Sequence, residues 1–313
     1  MPGFYVNHLK SMRAKTFAIE IEKRLATPIS DKKMDTIIKF KTADKQDLNE
    51  ILSAGYAVLR DHPEFFYYKT SLKSYFDGNQ VTLKLRLLYT PSEITTLKTR
   101  IEHKLSEILN LIPRDACTWE KERILFEYLQ LNTTYTDDGA PERYNIIGAL
   151  LNGQAVCEGI SKAFAVLCHR IGVPCIVVFS KTHMWNLVNI NGRLSNVDVT
   201  YNTNTPHTFC DYTYFNVSDS DMNNDEHRKE LECIPKCLDN SNNYYAKMNL
   251  YFQNEQELKK FITRSLFACK SPIYVKLSKG NIVRAIKSAT LLAPYNITFT
   301  YNESAKTALI TSA

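Results

Sequence analysis

The chain has 313 residues, 44% of them hydrophobic, with only 10 Gly and 11 Pro, which excludes a disordered or fibrous protein and leaves room for one large domain or two to three small ones. Its 39 basic and 33 acidic residues leave a net charge of +6. The excess is spread out, and the short runs Lys32-Lys33 and Lys259-Lys260 lack repeated aromatic partners, so it reads as solvated surface rather than a nucleic-acid patch.

The N-terminal stretch is charged throughout (Lys10, Arg13, Lys15, Glu20, Glu22, Lys23, Arg24) and lacks the apolar run of a signal peptide, while no apolar window of about eighteen residues predicts a membrane span. A cytosolic chain and one with a trimmed or re-started N-terminus both fit, so the location stays open. Apolar residues at helical spacing (Leu48, Ile51, Leu52, Tyr56, Leu59) predict a helix over Gln46 to Leu59, broken by Asp61-His62-Pro63-Glu64. Phe65 to Tyr68 and Val81 to Tyr89 read as strands, the second alternating Val81, Leu83, Leu85 and Leu87, with Asp77-Gly78-Asn79 as a turn. The aromatic cluster reads as core or interface rather than a ligand site. Pro91-Ser92 opens a helix with Ile94, Leu97, Ile101, Leu105, Ile108 and Leu109 on one face, and a second runs from Trp119 to Leu131. Tyr135 to Arg143 is polar and turn-rich, a surface loop able to border a cleft. After an Asn- and Asp-rich stretch from Ser218 to Asn243, the end of the chain reads as a small α+β unit. It has a helix over Glu255 to Phe267, a strand over Ile273 to Leu277, a helix over Asn281 to Ala289 and a strand over Ile297 to Tyr301. The expected division is an N-terminal α+β unit at 1–90, a core at 91–246 and a C-terminal unit at 247–313.

The chemistry concentrates in the core. Ile160, Ala163, Phe164, Leu167, Cys168 and Ile171 recur at helical spacing, with Gly172 and Pro174 just beyond. Cys157 therefore opens a buried helix, where the dipole and free N–H groups favour the thiolate and can hold an oxyanion. Cys175 to Ser180 reads as a central strand. Met184 to Ile190 and Arg193 to Val199 flank Asn191-Gly192, a strong hairpin signal. A two-residue turn pairs Trp185 with Asp198 and makes His183 the diagonal neighbour of Asp198 on one face, roughly 7–8 Å away at the backbone. Met184, Val188, Ile190, Val197 and Val199 take the opposite, core face. A cysteine nucleophile, a histidine base and an orienting aspartate are the parts of acyl-thioester chemistry. Gln154 either aims an amide at the oxyanion or is an exposed turn residue. Trp185 either walls the acyl channel or packs.

At these residues the chain resembles the transglutaminase-like superfamily, especially its bacterial members, over about Tyr144 to Ser218. Ala155-Val156-Cys157-Glu158-Gly159 is similar to the nucleophile block, Ile171-Gly172-Val173-Pro174 to the helix exit, His183-Met184-Trp185-Asn186 to the His block, and Gly192 through Asp198-Val199-Thr200 to the Asp block. Tyr214 to Asp219 is similar to the segment that closes the core. Leu194, Ser195, Tyr201, Asn202 and Met184 depart from the usual pattern without removing a catalytic group. The resemblance implies an α+β, papain-like fold, with the cysteine on a helix packed against an antiparallel sheet that bears the histidine and aspartate. It also implies a family of transamidases, deamidases and peptidases.

Two further groupings are weaker. Asp219, Asp221, Asn223, Asp225 and Glu230 imitate calcium-loop spacing, but Asn224 stands where the loop needs glycine, and a polar loop is the favoured reading. His207, Cys210, Cys233 and Cys237 are zinc ligand types in a long irregular stretch. Eight cysteines are too sparse for a disulfide scaffold at this length, and Cys168 and Cys175 read as buried hydrophobes. The expectation is an acyl-transfer enzyme on a protein or peptide substrate, with no cofactor or metal, no nucleic-acid partner and an open oligomeric state. A cysteine peptidase and a non-catalytic binding module of the same fold stand as rivals.

Overall fold

The computed structural model describes residues 3–27, 34–42, 44–201, 208–222, 224–291, 293 and 296–312. Helix α1 (Phe4–Asn7) leads into α2 (Met12–Ala26), whose N-cap Ser11 accepts from the Ala14 N–H at 2.9 Å. Strand β1 (Asp35–Lys41), helix α3 (Asp47–Asp61) and strands β2 (Lys73–Phe76) and β3 (Gln80–Arg86) complete the N-terminal unit. Its antiparallel sheet runs β1-β3-β2, and the predicted alternation of β3 buries Val81, Leu83 and Leu85.

One expected strand is absent. Phe65 to Tyr68 forms a turn, with a single bridge from Tyr68 to Leu87. Phe66, Tyr67 and Tyr68 are all buried. A strand sends successive side chains to opposite faces, so three consecutive aromatics enter one core more readily from a turn.

Helix α4 (Pro91–Leu109) starts with Pro in its first turn and a capping box between Thr90 and Glu93; α5 (Thr118–Asn132) follows. Short strands β4 (Thr134–Tyr135) and β5 (Gln154–Ala155) pair in parallel. They lead into α6 (Cys157–Arg170) and an antiparallel sheet of β6 (Cys175–Phe179), β7 (Met184–Ile190) and β8 (Arg193–Val197), ordered β6-β7-β8. One apolar cluster runs from Ala18 in α2 through α4, α5 and α6 to Tyr245, so the N-terminal and central units share a core.

The C-terminal part has its own core. After α7 (Tyr244–Lys247), it comprises β9 (Tyr251–Phe252), α8 (Glu255–Phe267), β10 (Ile273–Leu277), α9 (Ile282–Thr290), β11 (Ile297–Asn302) and β12 (Thr307–Ser312), with sheet order β11-β12-β10-β9. Strand β12 had no counterpart among the expected elements. Among the described residues no helix is long and apolar enough to cross a membrane.

Glu122 of α5 is fully buried. Its Oε2 accepts from Asn216 Nδ2 at 2.7 Å, while Oε1 has no partner among the described residues. Burial, only partly offset by Asn216, pushes its pKa up to about 8. The folded value lies above the unfolded one, so the stability present at acid pH is lost as pH rises towards and through 8. Glu122→Gln keeps the accepting oxygen and stays neutral. Its advantage over wild type in thermal melts is expected to grow by about 1 kcal/mol or more between pH 5 and 8. A pH-independent difference would refute a buried neutral carboxyl.

Candidate active site

Cys157 is half-buried at the first position of α6. The N–H groups of its first turn have no intrahelical acceptors, and no side chain caps them. Gly159 explains the spacing of the motif. A Cβ there would lie 2.4 Å from the Arg143 carbonyl oxygen and 2.9 Å from that of Asn145, so only glycine lets the helix start press on the 143–145 backbone. The helix is also tied to the sheet. Ser161 Oγ donates to the Met184 carbonyl at 3.0 Å, and Asn186 Nδ2 donates to the Ser161 carbonyl at 2.9 Å.

The β7–β8 hairpin has the predicted register, with Asn186 opposite Val197, Leu187 opposite Asn196 and Ile190 opposite Arg193. Asn191 (φ 54°) and Gly192 (φ 83°) both take positive φ, as a two-residue turn of this twist requires. His183 and Asp198 meet as the register implies, with Nε2 to Oδ2 at 2.9 Å. The Cys157 thiol is within hydrogen-bonding reach of the same imidazole. The helix start and the hairpin thus bring Cys157, His183 and Asp198 together.

Burial opposes charge on His183. The hydrogen bond to Asp198, the contact with Cys157 and the charges of both outweigh it, and the His183 pKa rises to about 10. Asp198 is also buried, which alone would favour the neutral acid. Hydrogen bonds and charge from His183 and a second histidine, His227, instead hold it well below the usual carboxylate range.

Residues 110–205 match the family model of the transglutaminase-like superfamily. This part of the chain is a transglutaminase-like core. It has the papain-like α+β arrangement, a cysteine-bearing helix packed on an antiparallel sheet that carries histidine and aspartate. Among solved structures the chain is similar to a TGase (13% identity, covering 53% of this chain and 51% of that one, TM-score 0.31). It is similar to a cysteine-protease candidate from Cytophaga hutchinsonii (8% identity, 42% and 62% covered, TM-score 0.28). It is also similar to menin, in a structure that reveals the binding site for Mixed Lineage Leukemia protein (14% identity, 56% and 37% covered, TM-score 0.26). The chain spans about half the length of the first of these, 51%. No curated protein matches it.

The transglutaminase-like core differs from the sequence reading around the dyad. The face that carries His183 and Asp198 is not a free face. Trp185 and Leu187 pack there against Phe4, Tyr5, Tyr214, Val217, Met222 and Ile234 in a second apolar layer. Trp185 is fully buried, with its ring near His183 and its Nε1–H donating to Asn196 Oδ1 at 3.1 Å. It packs behind the site and does not wall a channel. Gln154 is exposed in β5. Tyr135, brought alongside by the β4–β5 pair, lies close enough to Cys157 for the two side chains to interact; local sequence carried no signal for this. His227 was equally hidden, in the Asn- and Asp-rich stretch.

Two of the calcium-like carboxylates are already engaged. Asp219 Oδ1 accepts from Lys229 Nζ at 2.6 Å and from Asn196 Nδ2 at 2.8 Å, and Asp221 pairs with Lys276; Asn223 lies outside the described residues. Cys210 and Cys237 are buried and Cys233 is half-buried, and among the described residues none of them joins a cluster of ligand side chains; His207 lies outside the described residues. Among the described residues, the group whose donor atoms all lie within 4.8 Å of one another is His183, Asp198 and His227. Imidazole–carboxylate hydrogen bonds of 2.9 and 3.0 Å link these three, so the group reads as a proton-linked network. Cys168 and Cys175 are buried, as the sequence implies.

Ring NMR of His183 provides the test of its electrostatics. In wild type the imidazolium is expected to persist through pH 9, because the Asp198 carboxylate stabilises it. In Asp198→Asn its pKa should fall by roughly two units or more. A titration in the ordinary histidine range for both proteins would show that Asp198 does not control the ring.

Proposed function

We propose that the chain is a cysteine-dependent acyl-transfer enzyme acting on carboxamides of proteins or peptides. The observation that carries this reading is the half-buried Cys157, at an uncapped helix N-terminus and beside a histidine bonded at 2.9 Å to a buried aspartate. Cys157 Sγ attacks the amide carbon. The carbonyl oxygen becomes an oxyanion facing the N–H groups at the start of α6. The C–N bond breaks as His183 gives its proton to the departing nitrogen, which leaves as ammonia or an amine. With Nε2 engaged by Asp198, Nδ1 is the ring nitrogen left for the thiol and the leaving group. An amine or water then attacks the thioester, returns a proton to His183 and frees Cys157.

A cavity of about 330 Å³ supports a side-chain-sized recognition element near this helix. It lies between Phe65, Phe66 and Tyr68 of the N-terminal unit and Pro141, Tyr144 and Lys162 of the core. Lys162 donates to the Tyr144 carbonyl at 3.2 Å and pairs with Glu158 at 2.6 Å, one residue after the nucleophile.

The test is a mass-spectrometric assay of a glutamine-containing peptide pool with a labelled primary amine. Wild type is expected to incorporate amine, or to convert glutamine to glutamate. Cys157→Ala and His183→Ala should each lose activity by about 10³-fold or more. Cys157-dependent cleavage of the peptides would assign the peptidase chemistry instead. Indistinguishable wild type and Cys157→Ala would sink the enzyme reading in favour of a binding module.

A further inference from the structure

Asp198 holds more than one histidine. Its Oδ2 meets His183 Nε2 at 2.9 Å and His227 Nε2 at 3.0 Å, and its Oδ1 accepts from the Thr200 N–H at 2.8 Å. His227 is buried and stands edge-on to His183, with ring centroids 5.1 Å apart. Its other ring nitrogen, Nδ1, lies 2.7 Å from Asn224 Oδ1. That oxygen also accepts the backbone N–H of His227 at 3.1 Å, which fixes the amide with its oxygen towards the ring. Both ring nitrogens of His227 therefore face acceptors, an arrangement satisfied when both carry a proton.

We propose that His227 is a positioning residue for the acyl-transfer dyad: a buried imidazolium, anchored by Asn224, that holds Asp198 in place and shares its negative charge with His183. The inference rests on the reading of Cys157, His183 and Asp198 as catalytic. His227 acts through Asp198 and does not touch the thiol or the substrate.

Two consequences follow from this geometry. Without a donor at position 227, Oδ2 keeps only His183, and the Thr200 N–H on Oδ1 is left to hold the carboxylate in the orientation that aligns the imidazole. With a neutral donor there, the orientation survives but the competing positive charge is gone. Asp198 then stabilises the His183 imidazolium more strongly, and repulsion between the two rings disappears. Among the described residues Tyr214 also packs on His227, with its ring 5.2 Å away. Asp219, Asp225, Arg228 and Lys229 line a polar cavity alongside, where Lys229 is already paired with Asp219. None of these takes the place of His227 at Asp198.

The experiment is the pH profile of Cys157 alkylation by iodoacetamide in the full chain, resolved by peptide mass spectrometry, with exposed Cys117 as the internal standard. Variants are His227→Gln, which keeps an N–H donor without charge, and His227→Phe, which keeps bulk without a donor. At neutral pH, His227→Phe is expected to slow Cys157 labelling by about tenfold or more, and His227→Gln to stay within about threefold of wild type. The alkaline limb, where His183 deprotonates, should move up in His227→Gln by about half to one pH unit. Ring NMR of His183 in His227→Gln reads the same shift directly and decides the matter if the Phe variant does not fold. Coincident alkaline limbs in wild type and His227→Gln, or His227→Phe labelling as fast as wild type, would overturn the proposal while leaving the triad intact. Wild-type Cys157 that labels no faster than Cys117 and is indifferent to His183→Ala would overturn both.

Discussion

The pairing of Asn186 with Val197 across the Asn191-Gly192 turn is the constraint on which the site depends. A slip of one residue would send His183 and Asp198 to opposite faces of the sheet, because side chains alternate along a strand. The same register turns Asn186 towards α6, where its amide holds the Ser161 carbonyl and so fixes the helix that starts at Cys157. One hairpin thus aligns the histidine with the aspartate on one face and docks the cysteine helix on the other.

Burying Asp198 makes a further demand. Removing a carboxylate from water costs several kcal/mol, recovered only where donors replace the lost hydration. His183, His227 and the Thr200 N–H supply them. The Thr200 N–H is local, but His227 lies 29 positions further along, so the chain after β8 must fold back over the sheet before the charge is tolerable. It does so through the backbone bonds of Asp198 N–H to the Tyr214 carbonyl (2.9 Å) and Asn196 N–H to the Val217 carbonyl (2.8 Å). Below these, Trp185, Leu187 and the apolar residues of 214–237 make the second layer. The polar-looking stretch is therefore a structural cover for the back of the site.

Two buried carboxyls of this core show what decides the state of such a group. Asp198 gathers imidazole donors and stays ionised, whereas Glu122 has one amide donor and is pushed towards the neutral acid. Both are fully enclosed, so depth does not separate them; the number and charge of the donors does.

Much of the architecture was legible along the chain. The helices from α3 to α6, the hairpin register and the C-terminal α8, β10, α9 and β11 all follow from periodicity, capping residues and one Asn-Gly turn. The meeting of Cys157 with His183 and Asp198 was legible too, because a helix start and a two-residue turn are local features with global geometric consequences. Other features needed the assembled fold. The aromatic run at 65–68 became a turn, from which three consecutive side chains enter one core. Trp185 became packing because a second layer covers its face. His227 and Tyr135 reached the site through contacts spanning 29 and 22 positions in sequence, counted from Asp198 and Cys157. By itself the sequence determined the elements, their register and the meeting of Cys157, His183 and Asp198, since these rest on local sterics and alternation. Only the tertiary structure decided which polar groups surround the trio, because burial and hydrogen-bond satisfaction are properties of the whole packed chain.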